Sequence, residues 1–172
     1  MKKKMLFTAL VVVMIAIGLL AIAKMNKNPT SEKEKTMSYE RPQLSKECSR
    51  LLDVSIESNV PIVLDMGEDF CPTLYVTEGE HSTFYNLAGF ASVEELRAKS
   101  KEVLANMASV KAYLLAYAPS CEIGGARKVL LVMETADRSD ANATVVAVVC
   151  DVDKKQSADG LKLLPQTDSL FK

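Results

Sequence analysis

Apolar and polar positions fall along this chain in blocks of different period. Residues 5–23, MLFTALVVVMIAIGLLAIA, form an unbroken apolar run whose one polar side chain is Thr8. As a helix the run would be about 28 Å long, close to the hydrocarbon thickness of a bilayer. Residues 24–43 lose all apolar period. They carry two prolines and mixed charge, the pattern of a solvated spacer that buries too little surface to fold alone.

Periodicity resumes at Leu44. Leu44, Cys48, Leu51, Leu52 and Ile56 fall on one face of a helix, with Ser45 or Gln43 at its start and Asn59 with Pro61 ending it. PIVLDM (61–66) reads as a short apolar strand closed by Gly67-Glu68-Asp69. TLYVTE (73–78) and STFYNL (82–87), joined through Gly79-Glu80, read as an antiparallel hairpin. Ser92-Val93-Glu94-Glu95 is a capping box. It opens a second helix expected from Val93 to about Ala108, with Val93, Leu96, Val103, Leu104 and Met107 on one face and a Glu95–Lys99 pair on the other.

Three strands follow, at 110–118, 128–135 and 143–152. Their connections are short enough for antiparallel neighbours and too short for parallel crossovers. Residues 129–133 and 145–149 are apolar at both parities, as in strands covered on both faces. The expected fold is α+β, an antiparallel sheet of five to six strands with two helices mainly on one face. Further cover must then come from the early hairpin, from residues 161–164 or from another chain. The terminal QTDSLFK is expected to fray.

The leading run sets the expected location. Behind Lys2-Lys3-Lys4 it reads as a signal anchor or as a signal peptide cleaved after Ala21-Ile22-Ala23; its length favours the retained anchor. No cysteine follows it, as a lipoprotein would require. The lysine cluster is expected to stay in the cytoplasm, which places a single domain (44–172) outside the inner membrane, or in the periplasm or medium after cleavage. The membrane is thus one expected partner, through residues 5–23.

Charge narrows the function. The chain holds 21 Lys and Arg against 22 Asp and Glu, and residues 1–24 take four of the lysines and no acid. The remainder is mildly acidic and lacks the basic footprint of a nucleic-acid binder. Cys48, Cys71, Cys121 and Cys150 make no CxxC pair, and with His81 the only histidine an ordinary zinc site has no ligand set. In an oxidising compartment four cysteines allow three disulfide connectivities. Cys48–Cys71 with Cys121–Cys150 is the favoured one, set against buried free thiols at Cys48 and Cys150.

Candidate chemistry is sparse. Asp65, Glu68, Asp69, Glu78, Glu80 and His81 form a polar group around the hairpins that acid–base catalysis would need brought together and partly buried. Residues 134–140, ETADRSD, offer an ion-pair network or a polar turn, without the alternating ligands of a calcium loop. Gly124-Gly125 reads as a turn requiring positive φ. Asn142-Ala143-Thr144 matches a glycosylation sequon at the start of an apolar strand. No cofactor is implied. The preferred function is a non-catalytic envelope module that binds a protein partner or a second copy of itself. The alternative is a small periplasmic hydrolase using carboxylates with His81.

Overall fold

A computed structural model of the chain describes residues 42–79 and 81–172. The apolar run and nearly all of the spacer lie outside the described residues. Among these residues no helix is long and apolar enough to cross a membrane.

Helix α1 (Lys46–Met66) begins at Ser45, whose hydroxyl accepts the Cys48 N–H at 3.1 Å. Its buried face is the predicted one: Cys48, Leu51 and Leu52 are buried, with Leu44 and Ile56 packed against them. The helix does not stop before Pro61. It runs through the expected 61–66 strand and ends at Gly67, whose φ of 61° suits a residue without Cβ. Proline removes the donor that would reach the Glu57 carbonyl, but Glu57 is exposed and water can satisfy it. Asn59 is held by Ser55 and Tyr75, and Val60, Val63 and Leu64 carry the apolar face onward. Tertiary contact thus overrides the local stop signal.

After a 3-10 turn (Gly67–Asp69) come strands β1 (Thr73–Glu78) and β2 (His81–Asn86), then helix α2 (Val93–Ala105). Ser92 caps α2 by accepting the Glu95 N–H, while the Glu95 carboxylate reaches back to the Ala91 N–H, one residue before the cap. Lys99 pairs with Glu102 rather than Glu95. Strands β3 (Ala112–Tyr117), β4 (Ser120–Ile123), β5 (Ala126–Asp137), β6 (Asn142–Asp151), β7 (Gln156–Ser157) and β8 (Lys162–Asp168) complete a curled antiparallel sheet.

The eight segments occupy six strand positions. β3 and β4 pair with β5 in one register, Tyr117 opposite Val132 and Ser120 opposite Val129, with Leu130 N–H donating to the Pro119 carbonyl between them. β7 and β8 both line the outer side of β6, where a bulge interrupts pairing between Ala143 and Val145. The order is β2–β1–β3/β4–β5–β6–β7/β8, and β3, β5 and β6 form the expected meander. Gly124 and Gly125, at φ of 61° and 77°, make the two-residue turn between Ile123 and Ala126.

The helices lie on opposite faces of the sheet, not mainly on one. α1 packs on Tyr75, Leu114, Leu131, Met133, Val146 and Val148, while α2 packs on the alternate residues Leu74, Val76, Tyr113, Leu115 and Ala136. Strands apolar at both parities need cover on both sides, and α1 supplies it on one face. On the other, α2 covers the β1–β3 part, while Leu130, Val132, Val145 and Ala147 pack with Tyr117, Ile123 and Leu164 of the curled sheet. The C-terminus is anchored rather than frayed. Ser169 and Leu170 are buried, and the Phe171 ring lies edge-on to Tyr113 at 5.2 Å, with the Arg138 guanidinium 4.6 Å from its centre.

Candidate functional site

The two edges of the sheet differ in how they meet solvent. An exposed edge strand presents unpaired N–H and C=O groups, and proteins blunt such edges with Pro, Lys, bulges or short strands. The β7/β8 edge has all of these: Lys162 and Pro165, the bulge against β6, and a two-residue β7. β2, His-Ser-Thr-Phe-Tyr-Asn, has none. Every one of its residues is exposed, and none carries a fixed charge.

The alternation of the ladder fixes which groups of β2 are free. Glu78 and His81 close the two-residue turn, and the Leu87 N–H donates to the Pro72 carbonyl at 2.7 Å in the same phase. His81, Thr83 and Tyr85 therefore turn their backbone groups toward β1, while Ser82, Phe84 and Asn86 turn theirs outward. The side chains of Ser82, Phe84 and Asn86 share the α1 face, because Phe84 lies opposite Tyr75, whose ring centre is 6.1 Å away.

Helix α1 flanks this edge. The Tyr75 hydroxyl donates to Asn59 Oδ1 at 2.9 Å and lies 3.0 Å from the Ser58 hydroxyl. Asn59 in turn donates to Ser55. Ser58 sits on a ridge of i, i+4 positions with Val54, Ile62 and Met66, which are 40, 42 and 48 % exposed; Phe84 is 62 % exposed. The ridge thus reaches Tyr75 through Ser58, and Phe84 lies beside the Tyr75 ring on the unguarded strand edge.

A second polar centre lies on the α2 face. Glu134 Oε1 accepts from the Tyr113 hydroxyl at 2.8 Å, and Oε2 is ion-paired with Arg97. Arg97 also donates to Thr167 Oγ1 and to the Asp168 carbonyl, and the Tyr113 hydroxyl accepts the Leu170 N–H. Burial pushes the Glu134 carboxyl above its ordinary range, opposed by Arg97 and by the Tyr113 hydroxyl. Burial also raises the Tyr113 hydroxyl. An open cleft of about 530 Å³ adjoins this centre, lined by Arg97, Lys101, Asn142, Asp168 and Lys172 among others. The Glu134 oxygens are taken up within the fold, and Arg97 holds the C-terminal segment in place. The arrangement is an anchor for that segment.

The polar residues that acid–base catalysis would need brought together lie at separate places. Asp65 pairs with Lys155 and Glu68 with Arg127 near the C-terminal end of α1, while Asp69 closes the 3-10 turn. Glu78 accepts from Ser109 at the β1–β2 turn, with His81 exposed beside it, and Glu80 lies outside the described residues. The ETADRSD segment is an ion-pair and capping region. Glu134 binds Arg97, Asp137 accepts from Ser45, and Arg138 donates to the Val110 and Met107 carbonyls. Among the described residues no cluster of His, Cys, Asp and Glu is placed to hold a metal ion.

All four cysteines are free thiols. Cys48 opens α1 beside Asp137, and Cys71 lies past the far end, beyond about 27 Å of helix. Cys121 faces Lys128, sharing the face of Leu130, whereas Cys150 faces Val129 on the opposite face. Neither favoured pairing has its sulfurs within bonding reach. Burial pushes the Cys48 thiol up to about 11 and raises those of Cys121 and Cys150, the reverse of what a nucleophilic cysteine needs.

Comparison of the chain with protein-family models, with curated proteins and with solved structures finds no match.

Proposed function

We propose that this chain is a non-catalytic envelope protein, held at the membrane by residues 5–23 or released after Ala23, whose folded domain binds protein through the β2 edge and the apolar α1 ridge beside it. The observation that carries this reading is the contrast between the two sheet edges. One is guarded by Pro165, Lys162 and a bulge, while the other is a fully exposed, uncharged strand bearing Phe84 and Tyr85. An edge left open in this way is an aggregation hazard unless something adds to it, and strand addition is a common mode of peptide and protein recognition. Tethering to a membrane would raise the effective concentration of such a surface toward other tethered chains.

The test is photo-crosslinking of the full chain in cells, with a photoreactive residue at position 84 and a control at Lys101 on the α2 face. Protein adducts of defined mass from position 84, absent from position 101, are the expected result. Equal labelling at both positions, or none at 84, would contradict the reading.

A further inference from the structure

We infer that the occupant of the β2 edge is β2 of a second copy of this chain, added antiparallel about a twofold axis through Phe84. The inference deepens the protein-binding reading above and rests on it.

The strand is self-complementary. Its outward backbone groups belong to Ser82, Phe84 and Asn86, which is the set an antiparallel partner strand must meet. With the axis at Phe84, Phe84 lies opposite its own copy and Ser82 lies opposite Asn86 of the second chain. Each of these pairs exchanges two backbone hydrogen bonds. The sequence reads polar–aromatic–polar in either direction on that face, so aromatic meets aromatic and neutral polar meets neutral polar. No fixed charge stands opposite a like charge. Twofold pairing requires that a patch match itself, and this one does.

The α1 face gains a floor of four aromatic rings, Tyr75 and Phe84 from each copy. These rings already sit 6.1 Å apart in pairs within one chain. A row of Val54, Ile62 and Met66 from each α1 stands along either side of the floor. Side chains exposed in one copy thereby acquire apolar neighbours. The two sheets become one continuous sheet, whose outer edges are the guarded β7/β8 strands. Such a dimer leaves no open edge, so assembly stops at two.

The test uses the full chain in mild detergent and two single substitutions, Ser82→Cys and Asn86→Cys, with wild type reporting the background from the native thiols. In the proposed register Ser82 and Asn86 of the second copy have Cα atoms about 5.5 Å apart, within disulfide range, while the two Ser82 positions are about 14 Å apart. Oxidation of a mixture of the two variants should give a disulfide-linked dimer well above background. Ser82→Cys alone should give none above it. Phe84→Lys places like charges at the axis and removes two buried rings, and should raise the dissociation constant by about a hundredfold.

Ser82→Cys linking as well alone as in the mixture would overturn the inference, as would a dimer unaffected by Phe84→Lys. A monomeric wild-type chain would also overturn it. In that case capture of a different protein from position 84 would leave the protein-binding reading standing, and absence of any adduct there would end both.

Discussion

Glu134 shows how a single side chain can fix a fold. It stands in β5 among Leu130, Val132 and Ala136 on one face of the strand, where a carboxylate is expensive to bury without partners. Arg97 and Tyr113 supply those partners, and the same two residues hold the C-terminal segment. Removing one member of a buried pair leaves the other unpaired, so Arg97→Met should lower unfolding free energy by about 3 kcal/mol near neutral pH. The loss should shrink at acid pH, where Glu134 without Arg97 takes up a proton; urea denaturation at both pH values measures it. Cys48 provides a second pH dependence. Its folded pKa is raised by burial from about 9 to about 11, so the folded protein keeps a proton that the unfolded chain loses. That contribution is intact below pH 9 and is lost as pH rises toward 11. Stability of wild type should therefore fall over that interval more steeply than stability of Cys48→Ala. The sequence places Glu134 in an apolar strand, and that misplaced charge is its one hint of a buried centre. Arg97, on a helix of ordinary charged residues, carries no hint at all.

At the scale of elements, α1 separates what local patterning can reveal from what it cannot. Its buried face and its Ser45 cap follow from spacing and side-chain chemistry. Its length does not, because Pro61 is a stop signal that the exposed Glu57 carbonyl and the packing of Val63 and Leu64 make tolerable. Pro61→Ala restores a hydrogen bond to a helix interior and should raise stability by about 1–3 kcal/mol in thermal or denaturant unfolding. A decrease would mean that the proline shapes the helix for its contact with the sheet. Five of the strands were legible, but the expected 61–66 strand is helix, and β4, β7 and β8 were not foreseen. β1, β2, the start of α2 and the β3–β5–β6 meander lie where β-rich apolar runs, the capping box and short connections put them, while α2 ends at Ala105 rather than near Ala108. The capping box foretold the start of α2 but not the face of the sheet it covers. That choice depends on which parity of β1 and β3 residues it meets, and no local pattern encodes it.

At the scale of the molecule, the sheet is closed at one end by the chain's own terminus and, among the described residues, left open at the other. The C-terminal anchor joins Leu170 and Phe171 to Tyr113 and Arg138, which are distant in sequence, so local polarity could only suggest a frayed tail. Deleting residues 170–172 removes a buried leucine and an aromatic pair and should lower stability by about 3 kcal/mol, read by denaturant unfolding. The open end is β2, whose exposure was invisible before its place at the edge of the sheet was known, although the strand itself was predicted. Hydrogen exchange at the Ser82, Phe84 and Asn86 amides of the full chain, followed over a dilution series, tests this assignment most directly. These amides should be protected at high concentration and exchange freely on dilution, while the Thr83 and Tyr85 amides, bonded to β1, stay protected throughout. Free exchange at Ser82, Phe84 and Asn86 at every concentration would contradict it.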